Sequence, residues 1–340
     1  MIKSICVVGH PSSLGGADTE LEHQIRLWKK MNLDVYICHT SDTYPETIKQ
    51  KMLDLGCKYI KSKSWKDLEG LDVISFCNRT FLENLQIIKK YARSTTFVNC
   101  MTWNFPKEIE AQENNLIDFH LYQTEHQMQK VSKKLKNKGS KYSAIRFIPY
   151  FDRSDFPFIE RNKRDFFQFG RISRDDPHKY KKSQIWIYET MTAPILKKGL
   201  IMGWSDKVSN KIGSLPNYIT GLKCGEITQQ QFYQECDVII MTTDTFENLP
   251  RVGFEAISSG TLLVVDKKGG WETLIEDGKT GWLCNDHREF VYKASRVAFE
   301  SQEYEDMRYN AANALDNNWG DNVSMESWNK VFDTIASKKG

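Results

Sequence analysis

Short apolar runs and segments of helical period take turns along this 340-residue chain. Ile5–Val8 leads into Ala17–Met31, Val35–Cys38 into Glu46–Leu55, and Val73–Phe76 into Phe81–Tyr91. Phe97–Cys100 and His120–Tyr122 continue the series, the latter leading into Glu125–Leu135. The runs are almost wholly apolar, as parallel strands covered on both faces are. Strands alternating with helices predict β-α-β units. Residues 149–164 carry two prolines and a cluster of charges, and read as a linker and hinge. The alternation restarts with Phe166–Phe169, a helix near Ser183–Leu196, Leu200–Met202, Tyr218–Ile219 and Val238–Met241. A helix at Arg251–Ser259, then Leu262–Val265 and Leu274–Glu276, follow, and helices are predicted from His287 onward. Trp328, Val331, Phe332 and Ile335 recur at the spacing of one helix face. The pattern predicts an α/β chain of two doubly wound domains, 1–150 and 151–320, with a helix at 321–340 that crosses back to the first. Two such domains in succession leave a central cleft, and ligands of open α/β sheets bind beyond the carboxyl ends of the strands.

Composition narrows the picture only a little. Hydrophobic residues make up 40% and charged residues 27%, a globular profile. No apolar run approaches the ~20 residues of a membrane span, and residues 1–9 are too short for a signal-peptide core. The net charge of +3 names no partner. Residues 130–146, however, carry seven basic side chains and no acid. That stretch is either a solvated face or a surface for an anionic acceptor, nucleic acid or membrane. None of the eight cysteines forms a C-x-x-C pair, which argues against zinc and thioredoxin-like chemistry. Cys6, Cys38, Cys77 and Cys100 lie in or beside strand-like runs and read as core residues of a reducing compartment. The expectation is a cytoplasmic protein, with peripheral attachment to a membrane as the alternative.

The chemistry-bearing signal is strongest at 244–260, DTFENLPRVGFEAISSG. Glu247 falls in the loop after a strand, and Glu255 one turn into the next helix, so both can face a ligand at that helix N-terminus. Backbone N–H groups and the positive dipole end there suit a diphosphate, and a carboxylate is the natural acceptor for sugar or ribose hydroxyls. A second segment, 166–182, ends a strand in Gly170-Arg171 and continues to Lys179, Lys181 and Lys182. Arginine and lysine are the expected partners of phosphoryl oxygens. The opening loop, 9–20, carries Gly15 and Gly16 before a helix, where backbone can approach a ligand closely. It lacks the G-x-G-x-x-G dinucleotide fingerprint. Asp18 in that loop could instead cap the helix.

These segments, followed by a strand, a Gly-Gly turn and the turn Glu276-Asp277-Gly278-Lys279-Thr280-Gly281, resemble the retaining GT-B glycosyltransferases of the glycogen-synthase-like (family 4 type) superfamily. The likeness is specific over 217–285. It implies two Rossmann-like domains facing a central cleft, and transfer of a hexosyl or pentosyl group from a nucleotide-diphosphate sugar with retention of configuration. On this resemblance Glu247 contacts the sugar hydroxyls and Glu255 the ribose, with Asn248 and Leu249 beside them. Arg171 and a lysine, Lys181 being favoured over Lys179 and Lys182, neutralise the diphosphate. Gly15 and Gly16 face the sugar donor, and the backbone at Glu226 and Ile227 meets the nucleobase. Relatives place a histidine after the strand equivalent to Phe97–Cys100; here Met101-Thr102-Trp103-Asn104 stands there, with Trp103 or Asn104 as pocket residues and His10 as another polar contact. No cofactor or metal ion is expected, since there is no D-x-D motif. The acceptor stays open between a saccharide, a lipid-linked saccharide and a modified nucleic acid. The alternatives are a nucleotide-sugar epimerase of the same fold, or a transferase that glycosylates DNA or another polyanion through the basic stretch.

Overall fold

The computed structural model describes residues 2–9, 15–41, 45–161, 164–299 and 301–337. The chain divides into two units, residues 1–152 with 318–340, and residues 153–317.

In the first unit seven strands form one parallel sheet: Ser4–Val8 (β1), Asp34–Cys38 (β2), Lys58–Ile60 (β3), Asp72–Phe76 (β4), Ser94–Val98 (β5), Phe119–Tyr122 (β6) and Ala144–Arg146 (β7). Their order is β3-β2-β1-β4-β5-β6-β7. The second unit contains Phe166–Ile172 (β8), Leu196–Met202 (β9), Ile219–Leu222 (β10), Val238–Met241 (β11), Leu262–Asp266 (β12) and Trp282–Cys284 (β13). This sheet is ordered β10-β9-β8-β11-β12-β13 and is also parallel. Both are Rossmann-like, doubly wound sheets. In each sheet the order reverses beside its first strand, between β1 and β4 and between β8 and β11. The crossovers leave in opposite directions there, and that opens a crevice at the carboxyl ends.

Burial explains the order of events along the chain. The central strands are covered on both faces: Val7, Val8, Val238 and Ile240 are fully buried. The predicted stripe on the last helix, Asp321–Ser337, is buried in the first unit. Its Trp328 meets Trp28 of the helix Gly16–Lys30 edge to face, with ring centroids 4.9 Å apart. The Trp328 indole N–H donates to Gln24 Oε1 at 2.7 Å. An edge-to-face pair of this kind adds about 0.5–1.5 kcal/mol beyond area burial.

Two expectations change, and two strands were not expected. The helix expected across Ser183–Leu196 ends at Thr190, and Leu196 already begins β9. Leu274–Glu276 is no strand: Leu274 closes the short helix Trp271–Leu274, and the edge strand is Trp282–Cys284. The short edge strands β3 and β7 have no apolar run to announce them; three residues long and only partly buried, they need none. Among the described residues no helix is long and apolar enough to cross a membrane.

All eight cysteines are free thiols. Cys6 and Cys38 are buried, and Cys77 and Cys100 are half-buried. Burial pushes the Cys6 thiol well above its ordinary range and the Cys38 thiol up to about 11, so neither is a nucleophile.

Candidate functional site

The second sheet gathers its charged side chains at the carboxyl ends of β8, β11 and β12. Strand β8 ends in Gly170-Arg171-Ile172. Gly170 lies under the helix Gln229–Glu235: a Cβ there would stand 2.4 Å from Cys236 Sγ and 3.0 Å from Phe232. Strand alternation turns Arg171 to the opposite face, with Phe167 and Phe169. That face is covered by the helix Gln184–Thr190, where Tyr188 stacks on Phe169. Arg171 is therefore enclosed, with none of its side chain exposed. Its guanidinium lies 3.5 Å from the Tyr180 ring centroid. It donates to Gln184 Oε1 at 3.2 Å, Ser173 Oγ at 2.7 Å, the Thr242 carbonyl at 3.3 Å and the Lys179 carbonyl. Arg171, expected from the resemblance to neutralise a diphosphate, is enclosed here and ties the β8 loop to the end of β11.

That clamp places the lysines. Lys179 Nζ donates to Glu247 Oε1 at 2.5 Å, and both side chains are half-buried. Lys181, the favoured partner of the diphosphate, instead bonds Asp266 Oδ1 at 2.5 Å. Lys182 is exposed. Asp266 is buried at the end of β12, and its Oδ2 accepts the Thr243 N–H at 2.7 Å. Lys268, one turn of chain later, lies 3.9 Å from the same oxygen and donates to the Thr243 carbonyl. Burial lowers the Lys268 ammonium from its ordinary value, with Asp266 opposing and Lys181 reinforcing the effect. Lys211 bonds Asp244 Oδ2 at 2.5 Å and the Pro177 carbonyl at 2.8 Å, tying the β8 and β11 loops together. Four ammonium groups and three carboxylates thus interleave at one sheet edge.

The loop bearing Glu247 is held by the Gly-Gly turn. Gly270 N–H donates to the Glu247 carbonyl at 2.9 Å. A Cβ on Gly270 would fall 1.7 Å from the Asn248 carbonyl oxygen, and one on Gly269 2.5 Å from the Glu247 carbonyl oxygen. Only bare backbone fits against this loop. Asn248 and Leu249 are buried beneath it. Pro250 then caps the helix Arg251–Ser258. Glu255 on that helix is buried, and its Oε2 accepts from Tyr233 Oη at 3.0 Å and Gln229 Nε2 at 3.2 Å. Burial raises its carboxyl above the ordinary value, opposed by Arg251 and by the tyrosine bond.

Glu226 is exposed and accepts the Lys223 N–H at 2.8 Å, while Ile227 is half-buried. They form the turn before the helix Gln229–Glu235, which Thr228 and Gln231 close with a capping box. In the first unit Gly15, with φ +146°, occupies the cap position of the helix Gly16–Lys30, so Asp18 sits in its first turn rather than at the cap. His10 and the rest of the loop at 10–14 lie outside the described residues. Trp103 is half exposed and its ring lies 4.5 Å from that of Phe105. Asn104 Nδ2 stands 3.5 Å from Glu108 Oε2.

Sequence reasoning passed over Lys268, Asp266, Tyr233 and Gln229. The two charged residues follow the rule already stated, being at and just after a strand's carboxyl end. Gln229 and Tyr233 stand four apart on one helix face, but only the fold brings that face to Glu255. Among the described residues no group of three or more His, Cys, Asp or Glu is placed to hold a metal ion.

Residues 225–314 match the family described as glycosyl transferases group 1. The whole chain superposes on HepE of Anabaena, solved in complex with UDP-glucose, with a TM-score of 0.71, 15% identity and coverage of 97% of this chain and 99% of that one. A glycosyltransferase from Rickettsia africae gives a TM-score of 0.74 at 13% identity, covering 100% of both chains. In sequence, spore coat protein SA of Bacillus subtilis is 23% identical over 110 residues, a match spanning 32% of this chain and 27% of that protein. The two solved structures share this chain's architecture of two Rossmann-like domains, the GT-B fold, and the family match falls on the segment that carries Glu247, Glu255 and Asp266.

Proposed function

We propose that this chain is a glycosyltransferase that takes a sugar from a nucleoside-diphosphate donor and passes it to an acceptor with retention of configuration. The observation that carries the reading is the pair Lys179–Glu247 at the switch point of the second sheet, in the loop that leads into the helix bearing the buried Glu255. Glu247 holds the sugar hydroxyls. Glu255 takes a ribose hydroxyl on its Oε1, since both protein donors address Oε2. Asn248 and Leu249 shape the pocket floor, and the turn at Glu226 and Ile227 receives the base through backbone groups. Lys179 is the lysine for the diphosphate, with Lys181 and Lys268 supplying further positive charge. Arg171 acts through the β8 loop, holding the carbonyl of Lys179 in place. UDP-sugars are the first donors to try, because HepE was solved in complex with UDP-glucose.

Among the described residues no side chain stands out as a nucleophile for a double displacement. The reaction is then a front-face substitution. The acceptor oxygen bonds to the anomeric carbon on the side from which the diphosphate departs, and its proton passes to the leaving phosphate oxygen. The transition state is oxocarbenium-like, and preorganised ammonium groups stabilise the departing charge. With those cations at the diphosphate, no metal ion is required, and transfer is expected to persist in excess EDTA.

The test is a thermal-shift screen across nucleotide sugars, since a ligand of the native state raises the melting temperature. Transfer to candidate saccharide acceptors follows, with the anomeric proton coupling of the first-formed product. Retention and a bound nucleotide sugar support the reading. An inverted product removes the mechanism, and an altered free nucleotide sugar without acceptor replaces the transferase with an epimerase.

A further inference from the structure

We infer that Lys179 and Glu247 form a partner-exchange latch: each neutralises the other in the empty site, and a complete nucleotide sugar releases both at once. The inference rests on the sugar-donor reading above and deepens it. Lys179 comes from the loop after β8 and Glu247 from the loop after β11, so their ion pair spans the crevice at the switch point. The same Glu247 oxygen accepts Thr245 Oγ1 at 3.1 Å. A second pair, Lys181–Asp266, is anchored differently, because Asp266 is buried and also bonded to the Thr243 N–H. Lys179–Glu247 is the pair whose two members are both half-buried and both addressed by the proposed ligand.

Charge accounting gives the consequence. A diphosphate attracts Lys179, but drawing it away strands a half-buried carboxylate. Removing one partner of such a pair leaves the other's desolvation uncompensated. Sugar hydroxyls supply neutral hydrogen-bond donors to that carboxylate and so offset the loss. Diphosphate and sugar are therefore recognised cooperatively, and a nucleoside diphosphate alone is held weakly. After transfer the sugar has left Glu247, Lys179 returns to it, and the spent nucleotide is expelled. No covalent step is involved; the exchange conserves charge and protons.

The experiment is calorimetric titration of UDP, GDP and ADP, and of UDP-glucose, GDP-mannose and ADP-glucose, into four proteins: wild type, Glu247→Gln, Lys179→Met and the double variant. Circular dichroism and melting curves establish that each is folded. Glu247→Gln should bind the preferred nucleoside diphosphate about fivefold to tenfold tighter than wild type, the scale of one freed ion pair. The same variant should lose the preference for the nucleotide sugar over the diphosphate. Lys179→Met should weaken the diphosphate, and adding Glu247→Gln to it should change nothing more. Equal or weaker diphosphate binding by folded Glu247→Gln overturns the latch while leaving the sugar-donor reading intact. Tightening that persists in the Lys179→Met background also overturns it, since plain repulsion by Glu247 would then be the cause. If none of the six nucleotides binds wild type, the sugar-donor reading falls and the latch with it.

Discussion

At the carboxyl edge of the second sheet, lysines and carboxylates meet in pairs: Lys179 with Glu247, Lys181 with Asp266, Lys211 with Asp244. At the same edge of the first sheet, among the described residues, the polar groups are mostly neutral. Ser75 Oγ donates to the Val8 carbonyl at 2.6 Å, and Asn78 caps the helix Arg79–Tyr91 through the Phe81 N–H. Asn99 donates to the Trp103 carbonyl at 3.0 Å, and Gln127 to the Met101 carbonyl at 2.8 Å. The buried acid there, Glu108, accepts from Asn99 Nδ2 and the Phe105 N–H, and has His120 Nδ1 at 3.5 Å. Two sheets of matching central strand order thus offer different chemistry at equivalent places. Topology supplies a crevice in both, but the side chains at the strand ends decide which crevice suits a diphosphate. The first edge shapes and stiffens a loop through amide bonds; the second concentrates charge.

The sharpest way to break this comparison is to neutralise the charged edge at its centre. Glu247→Gln is expected to reduce transfer by about 10²–10³-fold, the scale of losing one preorganised polar contact to the transition state. Release of nucleoside diphosphate in the presence of acceptor is the readout, with a melting curve to show an intact fold. Transfer at the wild-type rate would remove the second edge as the site of chemistry.

Arg171 tests whether the edge works by contact or by positioning. Truncation to alanine takes their shared arginine donor from the carbonyls of Lys179 and Thr242, while Gln184 Oε1 keeps the Thr242 N–H and Oγ1. The expected loss is about 3 kcal/mol of stability in the second unit, in the range for buried groups left unsatisfied. Denaturant unfolding monitored on that unit measures it. If stability is unchanged and only sugar-donor affinity falls, Arg171 meets the diphosphate directly and the clamp is wrong. Gly270→Ala should cost somewhat less, about 1–3 kcal/mol as for overpacking. Its Cβ must displace the Asn248 carbonyl, so the affinity for nucleotide sugar should fall with it. An alanine variant with wild-type melting and affinity would show that the Glu247 loop does not depend on this contact.

How far these features could be read beforehand depended on what kind of physics set them. The alternation of apolar strands and amphipathic helices announced the central strands of both sheets, because burial on two faces leaves a continuous trace in sequence. The stripe from Trp328 to Ile335 was legible for the same reason. Glu247, Glu255 and the Gly-Gly turn stood out through their order along the chain. Why the turn must be glycine did not, since the Asn248 carbonyl that excludes a Cβ belongs to another segment. The burial of Arg171 was inferable. This residue shares the parity of Phe167 and Phe169 within a strand sheathed on both faces, and such a position points into a helix layer. The choice between Lys179 and Lys181 was not inferable. It turns on a 3₁₀ turn at Pro177–Lys179, opened by the Asp176 side chain, which sets where each ammonium lands.

Glu255 offers the smallest and most discriminating contrast, because it lies in the charged edge yet is buried like the polar groups of the other. Its carboxyl is raised above its ordinary value, chiefly by burial. A raised carboxyl means the folded protein binds that proton more tightly than the unfolded chain does. Its stabilising contribution is full below the unfolded value of about 4.3 and is lost as pH rises through the folded value. Above that window the ionised carboxylate is held against a desolvation cost. Glu255→Gln keeps the shape and removes the charge, so at pH 8 the variant should melt at or above the wild-type temperature. As pH falls through the folded value that advantage should shrink, because wild type then takes up the proton as well. Nucleotide affinity should nevertheless fall about tenfold, as for losing one hydrogen bond to a charged acceptor. The two readouts move in opposite directions, and that separates a binding group from a structural one. A variant that melts lower at pH 8 and binds nucleotide as wild type does would assign Glu255 to packing with Tyr233 and Gln229, leaving Glu247 as the carboxylate of the site.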